Sequence, residues 1–229
     1  MISVIIPTLN AEAGLAEALT ALVPATVEGI IREVIVVDGG STDRTGAIAD
    51  QSGAQFVERS GGRGYQMLAG ARRARFPWLL FLHADTVLEQ GWEREANAFM
   101  AAVDAGKRPA AAAAFRFALD DLGARPRLLE QLVRLRCFVF KLPYGDQGLL
   151  IPKLLYGQIG GHNPLPLMED IDLLRRMKRR QIVMLQARAL TSASRFRRDG
   201  YLRRSARNLS CLTLYMLRVR PGVINRLYG

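Results

Sequence analysis

Apolar and polar positions in the first third of the chain fall into blocks. Short runs rich in Val, Ile and Leu occur at residues 3–7 (SVIIP), 33–38 (EVIVVD) and 78–85 (WLLFLHAD), and each stops at a polar loop. Unbroken runs of this length predict parallel strands covered on both faces. Between them the spacing predicts helices over 11–23, ended by Pro24, over about 42–51, and over 65–75, with a further strand at 54–59 and a Gly-rich loop at 60–64. This β-α-β-α-β-α-β order predicts a parallel sheet with right-handed crossovers, an α/β fold.

Beyond residue 85 the pattern loosens. Helices are predicted over 92–105, 126–140, 168–180 and 201–218, and strands over 110–119, 148–151 and 182–190, while 157–166 reads as a Gly/Pro-rich loop beside the site. In open α/β sheets ligands bind at the carboxyl ends of the strands. Asn10, Asp38 and Asp85 fall there, giving a crevice with two carboxylates and an amide, suited to a nucleotide and a divalent metal.

The 229 residues, 49% hydrophobic and 23% charged, have ordinary globular composition, and one domain spanning 1–229 is expected. Charge changes the picture more. Residues 1–115 carry ten Lys and Arg against thirteen Asp and Glu, and residues 116–229 carry twenty-two against eight. The halves are thus −3 and +14, and the basic half favours a phosphate-bearing partner. Cys137 and Cys211 lie far apart without metal-ligand spacing and read as reduced core residues. With no signal peptide before the first strand and no apolar stretch long enough to span a bilayer, the expected location is the cytoplasm.

Several residues carry candidate chemistry. Asp38 ends its strand before Gly39-Gly40, which lets a ligand approach the backbone while the carboxylate accepts hydrogen bonds from a base or ribose. Asp43, in the first helical turn, reads as a capping group. Asp85 emerges from a buried run and would hold Mg²⁺ or Mn²⁺, whose shell water and diphosphate oxygens complete; His83 would share its face. Glu169 and Asp170 open a helix after the Gly/Pro-rich loop, where Asp170 is placed to act as a general base on a hydroxyl. Arg63, in GGRGYQ, would reach a phosphate or base edge, although the segment is not a P-loop.

Taken in order, SVIIPTLNAE, EVIVVDGGSTDRT, FLHADT and MEDIDL resemble glycosyltransferase family 2, inverting enzymes of GT-A fold that use nucleotide-diphosphate sugars. The resemblance implies a nucleotide-binding half over 1–115 and an acceptor-binding half over 116–229 that ends in a basic helix. By it, Pro7, Thr8, Asn10, Glu12, Asp38 and Arg63 line the nucleotide site, Asp85 holds the metal and Asp170 is the catalytic base. GRGYQMLAGA, PYGDQGLLI, PLMEDIDLLRRMKR and TSASRF are similar to a small bacterial subgroup found beside radical-SAM and selenium-related genes. That similarity puts Gly145, Asp146, Gln147, His162 and Glu169 near the sugar or acceptor. The usual DxD is reduced here to His83-Ala84-Asp85, and no QxxRW follows the base motif, which argues against a processive polysaccharide synthase.

Two other classes compete with this reading. Nucleotidyl transfer uses a similar acidic crevice but wants a basic residue in the first loop, and PTLNAEAG has none. A nucleic-acid-binding role for the basic half lacks a recognisable motif, so no nucleic acid is expected. The helix predicted over 201–218 sets Leu202, Leu209, Leu212 and Met216 among arginines, which suggests peripheral contact with an anionic membrane.

Overall fold

The computed structural model describes residues 1–219 and 221–228. β1 (Ile2–Thr8), β2 (Ile31–Asp38), β3 (Gln55–Glu58) and β4 (Trp78–Phe81) are parallel neighbours. With β5 (Thr86–Leu88), β6 (Ala112–Asp120), β7 (Leu149–Pro152) and β8 (Ile182–Ser192) they form one eight-stranded sheet in the order β3-β2-β1-β4-β7-β6-β8-β5. β6 and β8 are parallel, whereas β7 runs antiparallel to both β4 and β6, and β5 antiparallel to β8. The sheet is therefore mostly parallel, as its Val/Ile/Leu runs predicted.

The apolar runs are explained by helices on both faces. On one face Val4, Ile6, Val36 and Leu80 pack with Leu15 and Leu19 of α1 (Glu12–Thr20) and with Trp92, Ala96 and Phe99 of the long helix after β5. On the other face Ile5, Ile35, Val37, Leu79 and Phe81 meet the helix after β3 and two short helices of the second half. Alternate residues of a strand point to opposite sides, so both parities must be apolar. Each such buried Leu, Ile or Val stabilises by about 1.5–3 kcal/mol.

Four sequence boundaries move. The first helix ends at Thr20, and Pro24 lies in the first turn of a second helix, α2 (Val23–Val27), where its missing N–H is no loss. After α3 (Thr45–Gln51) and α4 (Arg63–Arg73), the run at 78–85 stops being a strand at Phe81; His83 O accepts from Thr86 N in a turn, and the chain then crosses to the far edge of the sheet as β5. Past α5 (Trp92–Asp104) and α6 (Ala124–Phe140), α7 (Lys153–Gln158) occupies the start of the expected 157–166 loop. α8 (Glu169–Arg175) is shorter than predicted, and the guanidinium of Arg176 at its end donates to Ile159 O and Gly161 O. A short α9 (Ser194–Asp199) precedes α10 (Tyr201–Met216) and α11 (Pro221–Tyr228), a helix the sequence did not announce. Cys211 and Ile224 of this pair pack on Leu167. Both cysteines are free and buried. Among the described residues no helix is long and apolar enough to cross a membrane.

Candidate active site

The loops after β1 and β2 are laced to each other. Asp38, buried at the tip of β2, accepts from Thr8 Oγ1 (2.7 Å), Ser41 Oγ (2.5 Å), Ser41 N (2.6 Å) and Gly40 N (2.9 Å). Burial alone would raise its pKa, but the hydrogen bonds from Ser41, Thr8 and Gly40 outweigh that and hold the carboxyl below its usual range. Asn10 sits at φ 50°, donates its N–H to Ser41 Oγ and accepts from Thr42 N. Glu12 donates its N–H to Asp43 and accepts from Arg44 N. Pro7 faces Val37 across the β1–β2 ladder. Gln66 of α4, buried, donates to both Thr8 O (2.7 Å) and Val37 O (2.8 Å), so one amide ties the two strand ends to α4.

The start of α4 and three other segments meet around an open cavity. Its wall holds Arg63 at the start of α4, His83 and Asp85 of the β4–β5 turn, Gly145 and Asp146 of a single 3₁₀ turn, and Asp170 of α8. Gly14 of α1 comes so close to this wall that a Cβ there would lie 2.9 Å from Ala84 O and 3.1 Å from the Asp85 Cα. That contact joins the β1 loop to Asp85. Ser192 N donates to Asp85 O (3.2 Å), which joins it to β8 as well.

Asp170 is held from two sides: Oδ2 accepts from Gly145 N (2.7 Å) and Oδ1 from Ile171 N (2.7 Å). A Cβ on Gly145 would stand 2.6 Å from His83 Nε2 and 3.3 Å from Asp170 Oδ2, so Gly145 fills the narrow gap between imidazole and carboxylate. Burial, helped by Arg63, takes His83 down to about 4 against the pull of Asp85 and Asp170, leaving the imidazole neutral at pH 7. Its Nε2 is buried and has no hydrogen-bond partner among the described residues. Asp146 Oδ1 is in the same position, and burial pushes this carboxyl up to about 6, opposed by Arg136 and reinforced by Asp170 and Asp85.

The remaining expected residues lie behind the wall. Gln147 donates to Phe115 O (2.9 Å) and accepts from Tyr144 N (3.2 Å), which fixes the turn carrying Gly145 and Asp146. Glu169 is buried 3.1 Å from Arg63 Nε, and burial pushes it up to about 7 against the Arg63 charge. His162 packs edge-on to Phe81 at 4.7 Å and is bonded to the Tyr156 hydroxyl at 3.1 Å; burial takes it down to about 3. The first-strand and second-strand residues Pro7, Thr8, Asn10, Glu12 and Asp38 form the adjoining loop system rather than the cavity wall itself. Sequence reasoning did not single out Tyr144, Thr191, Ser192, Arg195, Arg204 or Asn208, all of which line the cavity. TSASRF, at 191–196, holds three of them and PYGDQGLLI, at 143–151, holds Tyr144; Arg204 and Asn208 carried no such signal.

Among the described residues no group of three or more His, Cys, Asp and Glu side chains is close enough to cage an ion. The donor set on the wall, a neutral imidazole with an unused Nε2 beside the Asp85 carboxylate, still fits a hard or borderline divalent cation that takes most of its shell from phosphate oxygens and water.

An eight-stranded, mostly parallel sheet with helices on both faces and loops converging at the strand ends is the GT-A arrangement expected from the sequence. TarS of S. aureus superposes with a TM-score of 0.61 at 17% identity, over 93% of this chain and 39% of that one. The glucosyl-3-phosphoglycerate synthase of Mycobacterium tuberculosis, crystallised with Mn²⁺, UDP and glucosyl-3-phosphoglycerate, superposes with a TM-score of 0.56 at 22% identity, over 84% of this chain and 70% of that one. The family model Glycosyl transferase family 2 matches residues 3–122, more than half of the chain, and the chain belongs to that family. It is 38% identical over 85 residues to the low-salt glycan biosynthesis hexosyltransferase Agl6 of Haloferax volcanii, covering 37% of this chain and 21% of that protein. It is 45% identical over 58 residues to the Mycobacterium tuberculosis synthase, covering 25% of this chain and 18% of that protein. The matched segments thus span about a fifth of these curated relatives.

Proposed function

We propose that the protein is an inverting glycosyltransferase that moves a hexose from a nucleotide-diphosphate donor to a hydroxyl acceptor. One observation carries this reading: Arg63, Asp85, Asp146 and Asp170, drawn from four distant segments, face a single cavity beside the Thr8–Asp38 loop system. UDP-bound and Mn²⁺-bound members of the fold support a nucleotide sugar and a divalent ion.

In this reading the β1 and β2 loops, shaped by Asp38, Asn10 and Glu12, receive the nucleoside, and Arg63 faces the phosphates. Asp85 and His83 would hold Mg²⁺ or Mn²⁺, which when bound supplies charge neutralisation at the departing diphosphate. Asp170 takes the proton of the acceptor hydroxyl while that oxygen attacks the anomeric carbon in line, and the nucleotide diphosphate leaves with the bonding pair. Each Asp170 oxygen receives one backbone N–H, which fixes the carboxylate and leaves a lone pair on each for that proton. Asp146 is placed to accept from a hydroxyl of the sugar or acceptor; Gln147, His162 and Glu169 act through the residues they hold. The similarity of GRGYQMLAGA and PYGDQGLLI to the radical-SAM-associated subgroup belongs to the same proposal, and the lack of QxxRW after the base motif supports a non-processive transferase.

The test is Asp170→Asn with donor binding measured separately. Transfer falls by at least a hundredfold while the affinity for UDP- or GDP-sugar in the presence of Mn²⁺ stays within about threefold. Intact transfer with normal donor binding would rule out the assignment of the base.

A further inference from the structure

α6 (Ala124–Phe140) is a helix of 17 residues whose inner side is thin. Leu129 and Val133 pack on Phe117 and Leu119, and Cys137 is buried. The outer side is apolar as well. Leu128, Leu132 and Leu135 are 63%, 55% and 58% exposed, with Val139 next on the same line and Phe138 74% exposed at its edge. Spacings of four, three and four residues put Leu128, Leu132, Leu135 and Val139 in one stripe along the helix. Isolated exposed leucines are ordinary, but a continuous stripe of this length marks a contact surface.

Charge decides what it contacts. Arg125 and Arg134 are exposed on opposite flanks of the stripe, and the helix holds a single acid, Glu130, turned inward and bonded to Leu119 N and Arg127. At the carboxyl end Lys141 extends over the Phe138 ring, and Arg179, between exposed Lys178 and Arg180, donates to Val139 O. An apolar strip with cations on both long edges and at one end matches an anionic bilayer, where leucines enter the acyl boundary and guanidinium groups reach the phosphates. The sequence pointed instead to the helix at 201–218. There Arg204 and Arg207 are turned inward and paired with Asp199, so that helix presents fewer cations than its sequence suggests.

We propose that α6 is a membrane-docking helix that lies in the interface of an anionic bilayer. The proposal stands apart from the transfer reading. α6 leads directly to Tyr144, whose ring stacks 3.4 Å from the Arg136 guanidinium carbon and lines the cavity, so docking sets the cavity mouth near the lipid surface.

The experiment is sedimentation of the whole protein with vesicles of phosphatidylglycerol and phosphatidylcholine, compared with pure phosphatidylcholine, at two salt concentrations. Wild type sediments with the anionic vesicles, at least tenfold more strongly than with the neutral ones, and less at high salt. Leu128→Ser/Leu132→Ser/Leu135→Ser lowers anionic binding at least tenfold, while its circular dichroism spectrum at the assay temperature stays that of the wild type. Arg125→Gln/Arg134→Gln lowers it several-fold and flattens the salt dependence. Failure of wild type to bind anionic vesicles overturns the proposal, as does equal binding by the triple-serine variant. So does a wild-type dimer in sedimentation equilibrium that the triple-serine variant abolishes without any vesicle binding, because a second copy would then be the partner of the stripe.

Discussion

Asp38 offers the sharpest check on how the strand tips are held. All four hydrogen bonds to its carboxylate come from the protein's own loops, two of them from the backbone N–H groups of Gly40 and Ser41. Asp38→Asn keeps the shape and removes the charge. A hydrogen bond to an ionised group contributes about 1.5–3 kcal/mol and a neutral one about 0.5–1.5, and coupled bonds do not add, so the cost expected is about 2–3 kcal/mol. Asp38→Ala also leaves Gly40 N and Ser41 N without their acceptor and costs about 3–5 kcal/mol. The charge term carries a pH signature. Because the folded pKa lies below the unfolded value of about 3.9, the carboxylate's contribution is complete above that pH and disappears as acid takes the solution down through the folded pKa. Urea unfolding followed by circular dichroism gives both numbers. At pH 7 wild type exceeds Asp38→Asn by the full margin, and the gap narrows as the pH drops below about 4 for as long as both remain folded. An Asn variant within 0.5 kcal/mol of wild type at pH 7, or a gap that widens on acidification, would refute the reasoning.

Gly145→Ala is compatible with the local 3₁₀ backbone, so its effect is steric: the new methyl reaches His83 and Asp170, transfer drops at least tenfold, and the urea midpoint moves little. Gln66→Met removes the donors to Thr8 O and Val37 O and costs about 1–3 kcal/mol in unfolding experiments. Stripping divalent ions with EDTA abolishes transfer and Mn²⁺ restores it, whereas an Asp85→Asn variant needs at least tenfold more Mn²⁺ for half-maximal rate.

Much of the first half was legible because parallel strands covered on both faces leave an unmistakable apolar run. Asp38 and Gly39 at the end of β2 are read correctly for that reason. The break at Leu82 was not legible, since Leu82 and Ala84 are buried like strand residues and only the pairing of Thr86–Leu88 with β8 shows that the chain leaves the middle of the sheet for its edge. The second half is harder because its strands are mixed in direction. β7 is four residues long, and its antiparallel partners lie at sequence distances no local pattern encodes. Of the site, Asp85 and Asp170, read from local chemistry, meet on one wall with Arg63, a weaker local signal, and Asp146, which only the family resemblance pointed to. Arg204 and Asn208 lie in α10, an ordinary-looking basic helix whose Cys211 packs on Leu167, and both line the cavity. The sequence of α6 reads as an amphipathic helix, but periodicity does not say which side a helix shows to solvent.

The path of the chain from β4 to β5 has a consequence for biosynthesis. Asp85 is synthesised early, yet its carbonyl is fastened by Ser192 N and its neighbour Thr86 pairs with Thr191, more than a hundred residues downstream. A nascent chain can complete the β3-β2-β1-β4 ladders and set Asp85 against Gly14 before β8 arrives to fasten the Asp85 carbonyl. The Asp85 side of the cavity therefore gains its last fastening only when β8 has formed, so the site is completed in a step separate from the ladders of the first half.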